Sequence, residues 1–230
     1  MNIQAEHPEE LLEILRGIDM DVPLRTEGRK TEHTERYSIC YLLSSLTNAG
    51  LLNFPISLSH EDRPDFVLSV PGTTIGIEHT EAVPQNEAAK DALRENGIGS
   101  EIHFLSRAIP GEKRRKSKQL RTEIIADNPG DGWAGEQVER EWAEAMEFFL
   151  QEKVRKLNAD GFKRHKENWL LIYDNWPLPN VDRAKALSYL QNILERQEVE
   201  FEHIYVLSGE YLCEISGDNT DLYAINNIWK

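Results

Sequence analysis

Two short stretches that alternate apolar and polar residues constrain the fold of this chain more than any other feature. The first spans residues 63–70, the second spans residues 73–81, and Pro71-Gly72 separates them. Alternation with a period of two is typical of strands that bury one face, and Pro-Gly is a turn signal. The sequence therefore predicts a β-hairpin over residues 63–81.

The apolar residues of this hairpin limit how its strands can pair. Phe66, Leu68 and Val70 share one face of the first strand, and Ile75 and Ile77 share one face of the second. Both sets must cover the same core, because a slip of one residue would turn one set toward solvent. Two registers satisfy this condition: Phe66 pairs with Ile77, or Leu68 pairs with Ile77 across a longer loop.

Both registers bring Asp65 close to Glu78. The two residues lie directly opposite in the tighter register and are diagonal neighbours in the looser one, with Cβ atoms roughly 4.5–8 Å apart. Carboxylates this close repel each other unless a cation or a proton lies between them. Hard divalent cations bind well to such a pair. The alternative is an ordinary hairpin with acids on its solvent face, in a chain that already has 40 acidic residues.

Composition places the chain among globular proteins and restricts its partners. Its 230 residues are enough for one domain, or for one domain with a sizeable insertion. Two cysteines give neither a disulfide framework nor a zinc motif, and the absence of a signal or membrane-spanning pattern predicts a cytoplasmic protein with no membrane partner. A net charge of −14 requires any nucleic-acid-binding surface to concentrate the basic residues locally.

Helical and strand patterns alternate along the rest of the chain and predict an α/β fold. Besides the hairpin, strands are predicted at residues 51–59, 169–174, 201–208 and 210–215. Helices are predicted at residues 8–15, 34–49, 85–94, 136–157 and 181–197.

Pro64-Asp65, a short strand and then Glu78-x-Thr80 resemble the motif of the PD-(D/E)XK restriction-endonuclease-like superfamily of metal-dependent nucleases. The predicted order helix, strand, strand, strand, helix, strand is similar to the core of that family. The resemblance implies an αβββαβ core with a mixed sheet, a long insertion and a C-terminal αβ(β) extension. Residues 1–30 would then form an N-terminal extension, and residues 31–230 a single nuclease-like domain with an insertion at about 84–133.

The resemblance also implies a site for Mg²⁺ or Mn²⁺. Asp65 and Glu78 would bind the ion, helped by the main-chain carbonyl of His79 and by Glu35 on the first helix of the core. Glu35 has an alternative explanation as an acid in a first helical turn, where the helix dipole favours negative charge. The chain departs from the family motif at Thr80, which stands where the family has a catalytic lysine.

Some members of the family carry this lysine on another element, and Lys153 is the first candidate for it here. Lys153 lies within the apolar face of the predicted helix at residues 136–157. A lysine in such a face either extends to solvent or serves a site. Lys156, one turn further along, is the second candidate.

Positive charges concentrate in one segment of the predicted insertion, which we call the basic segment. It contains Lys113, Arg114, Arg115, Lys116, Lys118 and Arg121. Such a segment is either a solvated loop or an arm that holds phosphates.

The sequence therefore predicts a magnesium-dependent endonuclease that hydrolyses phosphodiester bonds, with DNA rather than RNA as its partner. A two-fold homodimer is an open alternative to a monomer, because nucleases that cut both strands are often dimers. Two other functions remain open: a catalytically inactive binding module with the nuclease fold, and an acidic protein-interaction module whose negative surface meets a basic partner.

Overall fold

The predicted hairpin lies at the centre of the computed structural model, which describes residues 1–197 and 199–229. Its strands span Phe66–Val70 and Thr73–Ala82, and Phe66 pairs with Ile77. The chain therefore adopts the tighter of the two predicted registers. Asp65, directly before the first strand, falls opposite Glu78.

The hairpin belongs to an eight-stranded mixed sheet whose spatial order follows the chain order. Its strands are β1 (Asn2–Ala5), β2 (Ile56–His60), β3 (Phe66–Val70), β4 (Thr73–Ala82), β5 (Glu167–Asp174), β6 (His203–Ser208), β7 (Tyr211–Ser216) and β8 (Asn219–Ala224). The pairs β4–β5 and β5–β6 are parallel, and the other neighbouring pairs are antiparallel.

Helices cover both faces of the sheet, so the predicted α/β class is confirmed. They are α1 (Pro8–Arg16), α2 (Thr31–Asn48), α3 (Gln85–Glu95), α4 (Ser117–Ala126), α5 (Gln137–Leu157) and α6 (Arg183–Leu194), with a short 3-10 turn at Arg25–Glu27. Within the described residues, no helix combines the length and the hydrophobicity needed to cross a bilayer.

Alternating side chains of the central strands supply two separate cores. On one face, α1 and α2 pack over a cluster that includes Phe66 and Ile77. On the other face, α5 and α6 pack over a cluster that includes Leu170 and Ile172. Strand β5 contributes to both clusters, because its continuous apolar run buries residues on each side of the sheet.

Four elements depart most clearly from the sequence prediction. Strand β1 was not predicted, and it joins residues 2–5 to the sheet edge beside β2. Strand β2 begins at Ile56 rather than at residue 51, and the final segment adds β8 beside β7. Helix α4 forms within the insertion, where no sustained periodicity pointed to it, by burying only Leu120 and Ile124.

Candidate active site

The ammonium group of Lys153 lies against both hairpin acids. Its Nζ is 2.6 Å from Glu78 Oε2 and 3.6 Å from Asp65 Oδ2. The side chains of Lys153 and Glu78 are only 8% and 6% exposed. Lys153 therefore does not extend to solvent, which was one of its two predicted roles, but forms a buried ion pair with the acids.

Strand alternation and one main-chain hydrogen bond position the two acids. Ile77 and His79 face α2, so Glu78 points to the opposite side of β4, toward α5. The main-chain N–H of His79 donates a hydrogen bond to Asp65 Oδ2 at 2.6 Å. This bond fixes the Asp65 carboxylate across the hairpin at the level of Glu78.

Burial and the neighbouring negative charge act together on Glu78. Burial raises the pKa of its carboxyl, and the charge of Asp65 raises it further, while Lys153 opposes both effects. The pKa of Glu78 remains above its ordinary value despite the ion pair. Two carboxylates, Asp65 and Glu78, face the single ammonium group of Lys153, and an uncompensated negative charge of this kind favours a further cation.

Glu35 lies near the acid pair but has a partner of its own. Its Oε2 is 2.9 Å from His60 Nε2, at the end of β2. Burial raises the pKa of Glu35 and the charge of Asp65 adds to this, while His60 lowers it. His60 comes to Glu35 only because α2 packs against the sheet at the end of β2, and no local sequence pattern indicates that contact.

His79 is a neutral, buried residue behind the acids. Its Nε2 is 3.1 Å from Ser38 Oγ on α2, and burial, with the nearby charge of Lys153, lowers its pKa to about 3. An exposed histidine titrates near 6.5. The unfolded chain therefore binds a proton at a higher pH than the folded chain does, so the contribution of His79 to stability is complete above pH ~6.5 and is lost as the pH falls toward 3.

We expect His79→Gln to flatten the pH dependence of stability. Between pH 7 and pH 5, the free energy of unfolding of the wild type should fall by about 2 kcal/mol more than that of the variant. Urea denaturation at both pH values in EDTA measures this difference. Equal losses in the two proteins would mean that His79 is not held neutral by its surroundings.

Two cavities meet at the acid–lysine cluster. The first has a volume of about 300 Å³ and is lined by Asp62, Arg63, Asp65, Glu78, Lys153, Lys156, Ala159, Asp160 and Phe162. The second has a volume of about 380 Å³ and is lined by Arg25, Arg29, Lys30, Thr31, Thr34, Glu35, Asp65, His79, Thr80, Glu81, Lys153 and Lys156. Asp65, Lys153 and Lys156 line both, so the cluster separates two accessible spaces.

The structure does not bring the basic segment to the acids. Among the described residues that line the two cavities, none belongs to this segment. Arg115 instead pairs with Glu112 and Glu123, and its main-chain N–H donates to Asn86 on α3. These contacts hold the segment against the insertion. Its other members, Lys113, Arg114, Lys116, Lys118 and Arg121, are exposed.

Basic residues from outside the basic segment reach the acids instead. Arg25, Arg29 and Lys30 reach the second cavity from the segment between α1 and α2, and Lys156 reaches it from α5. Lys156 was predicted only as the second candidate lysine, and residues 17–30 carry no pattern that predicts a role for their basic residues. Periodicity carries no signal there, because this segment has little regular structure.

The donor set of the cluster fits a magnesium ion better than a zinc ion. Among residues 1–197 and 199–229, no group of three or more His, Cys, Asp or Glu side chains is arranged to hold a metal. Mg²⁺ is commonly bound through only one or two carboxylates, with waters and substrate phosphates completing its shell. Asp65 and Glu78 meet that requirement, whereas a structural zinc site needs four protein ligands.

Comparison with known proteins adds no family to this geometry. No protein-family model, curated protein or solved structure matches the chain. The convergence of Asp65, Glu78 and Lys153 therefore has to be explained from their own charges and contacts.

Proposed function

We propose that this chain is a metal-dependent nuclease that hydrolyses phosphodiester bonds of nucleic acid, with DNA as the preferred substrate over RNA. The observation that carries the proposal is the meeting of two acids of one hairpin, Asp65 and Glu78, with Lys153 of α5, whose Nζ lies 3.6 and 2.6 Å from them. Two acids beside a lysine are the groups that the PD-(D/E)XK motif requires. Here α5 would supply the lysine that position 80 lacks.

The order of elements supports a restriction-endonuclease-like core. Helix α2 is followed by β2, β3 and β4, and α5 then leads into β5, which lies parallel to β4. In this proposal α3 and α4 form the insertion, and α6 with β6, β7 and β8 forms the extension. The acids lie on the hairpin, as the resemblance requires.

Asp65 and Glu78 would hold a Mg²⁺ or Mn²⁺ ion, with the main-chain carbonyl of His79 and the carboxylate of Glu35 as further oxygen donors. When bound, such an ion neutralises charge on a phosphate and lowers the pKa of a bound water. Glu35 would have to exchange His60 for this role. Of the four ligands, Glu35 is therefore the one that must first give up a hydrogen-bond partner.

Lys153 would position the water that attacks the phosphate. Its ammonium group donates hydrogen bonds and is held by Glu78, so it can orient a water oxygen toward phosphorus. The attack forms one phosphorus–oxygen bond and breaks the bond to the leaving oxygen, which takes up a proton. The products are one strand end with a phosphate and one with a hydroxyl.

A cleavage assay tests this proposal. Supercoiled plasmid, single-stranded DNA and single-stranded RNA are incubated with the protein in Mg²⁺, in Mn²⁺ or in EDTA. We expect cleavage of at least one DNA substrate with a divalent ion and none in EDTA. Cleavage that persists in EDTA, or no cleavage under any condition, would contradict a metal-dependent nuclease.

An inactive nucleic-acid-binding module is the second candidate, and one observation favours it. The ammonium of Lys153 already lies between the two acids, and Thr80 removes the lysine at its usual position. This candidate predicts the same nucleic-acid affinity with and without divalent ions. The first candidate predicts that divalent ions increase the affinity, since they reduce the negative charge that Glu78 and Asp65 present to phosphate.

A further inference from the structure

The second cavity has a positive net charge, whereas the protein as a whole has a negative one. It is lined by five cationic side chains and three carboxylates, a net +2, in a chain of net charge −14. The cations are Arg25, Arg29, Lys30, Lys153 and Lys156. A concave surface that collects positive charge in an acidic protein attracts anions of matching size, because low-dielectric walls focus the field.

Two arginines in this cavity converge on a single oxygen. Oε1 of Glu81 accepts hydrogen bonds from Arg29 at 2.7 Å, Arg25 at 3.1 Å and Asn175 at 2.8 Å. Each guanidinium group contributes only one of its nitrogens to Glu81. Among the described residues, their other N–H groups have no hydrogen-bond partner. The side chains of Arg25 and Arg29 are 23% and 17% exposed and line the cavity, so a ligand there can reach them.

The chain is built to hold these arginines in place. Gly28 adopts φ +87°, a left-handed conformation that glycine accepts without strain, and it turns the chain between Arg25 and Arg29. The main-chain N–H groups of Arg25 and Thr26 donate to the carboxylate of Glu95 on α3, at 3.2 and 2.8 Å. The turn is thus anchored to the insertion, and its guanidinium groups are ordered before a ligand arrives.

We propose that Arg25 and Arg29, with Lys30 and Lys156, form a binding subsite for a phosphate of the nucleic-acid strand, in the cavity that also reaches Asp65 and about three nucleotides from the scissile phosphate. This inference rests on the proposed function. Glu81 lies three residues after Glu78 on β4, so its side chain is on the face of the strand that His79 occupies, and it is displaced by about 10 Å along the strand. That is close to the axial length of three nucleotides in one strand of a duplex. When phosphate is absent, the carboxylate of Glu81 pairs with both arginines, and a bound phosphate competes with it for their N–H groups.

Binding measurements in EDTA test the subsite without cleavage. The probes are fluorescein-labelled DNA strands of about 20 nucleotides, single-stranded and duplex, followed by fluorescence anisotropy at several salt concentrations. We expect Arg25→Gln/Arg29→Gln to weaken binding at least about tenfold and to reduce the salt slope by about one to two. The variant Arg140→Gln/Lys185→Gln removes the same charge from a distant surface and should change the affinity less than about threefold. Arg140 lies 13 residues before Lys153 on α5, about 20 Å away along the helix.

The Glu81→Gln variant separates a binding role from a structural one. If the arginines bind phosphate, releasing them from the Glu81 charge tightens DNA binding by about threefold or more, and this gain disappears when Arg25 and Arg29 are also replaced. If the arginines only support the fold, Glu81→Gln lowers the melting temperature without tightening binding.

Two outcomes overturn the subsite: unchanged affinity in a folded Arg25→Gln/Arg29→Gln protein, or an equal loss in Arg140→Gln/Lys185→Gln. A third outcome would also overturn the subsite. If Lys113→Gln/Arg114→Gln weakens DNA binding and Arg25→Gln/Arg29→Gln does not, the basic segment rather than the two arginines binds the phosphates. The proposed nuclease activity can fail independently. If no divalent ion supports cleavage but the arginine variants lose DNA binding, the phosphate subsite is supported and the proposed nuclease activity is contradicted.

Discussion

Asp65→Asn and Glu78→Gln are each expected to lower the rate of phosphodiester cleavage by at least about 100-fold in Mg²⁺. Each substitution keeps the shape of the side chain and removes the negative charge that would hold the ion. Loss of one preorganised electrostatic contact to a transition state typically costs 10²–10³ in rate, and loss of the ion removes its effect on both phosphate and water. Single-turnover cleavage of plasmid DNA, with protein in excess, measures the rate of the chemical step.

A matched control is available on the same helix as the lysine. Glu152 directly precedes Lys153 but pairs with Arg155 at the surface. Glu152→Gln changes the net charge as much as the site variants do, and it should retain cleavage within about threefold. If both Asp65→Asn and Glu78→Gln cut at the wild-type rate, the proposed site is wrong, whatever activity the protein has.

Lys153→Met is expected to affect both activity and stability. Methionine preserves most of the apolar stem, but it leaves Glu78 and Asp65 without their common cation. Removing one partner of a buried ion pair typically costs about 3–5 kcal/mol, so we expect a loss of that order in the free energy of unfolding at pH 7 in EDTA. Urea denaturation measures it, and added Mg²⁺ should restore part of the loss by binding the freed carboxylates.

The loss of unfolding free energy in Lys153→Met should become smaller as the pH falls. Without Lys153, the effect that lowers the pKa of Glu78 is gone, so burial and Asp65 raise this pKa further. When the pKa of a carboxyl is raised in the folded state, the protonated group does not destabilise the fold. The ionised group does, so stability is lost as the pH rises through that pKa. Lys153→Met should therefore approach wild-type stability toward pH 4. Cleavage should remain at least about 100-fold reduced.

Lys156→Met is the matched control for the lysine. Lys156 is exposed at the rim of both cavities, so its replacement should change the free energy of unfolding by less than about 0.5 kcal/mol. Equal stability of Lys153→Met and wild type in EDTA at pH 7 would show that the ammonium group does not compensate the acids. A loss of cleavage in Lys156→Met alone, with unchanged DNA affinity, would identify Lys156 rather than Lys153 as the functional lysine.

Local periodicity was enough to predict the part of the site that lies on one hairpin. The apolar faces of the two strands allowed only two registers, and both placed Asp65 near Glu78. The apolar stripe of α5 also identified Lys153 as unusual. These features could be read from the sequence because strand and helix periods decide which side chains share a face over a few residues.

Contacts between distant segments could not be read in this way. Lys153 and Glu78 are 75 residues apart, and Arg29 is 52 residues from Glu81. The basic segment had the strongest charge signal, but it packs against α3 and away from the acids, whereas the arginines that reach the cavity lie in a segment without periodicity.

The sequence by itself determined the hairpin, its acid pair and the α/β class, because these follow from the alternation of apolar residues and the need to bury them. The tertiary structure alone decided which cations meet the acids. That choice depends on how α5 and the turn at Arg25–Glu27 pack against β4, and packing between distant segments is set by the shapes of both cores rather than by any local pattern.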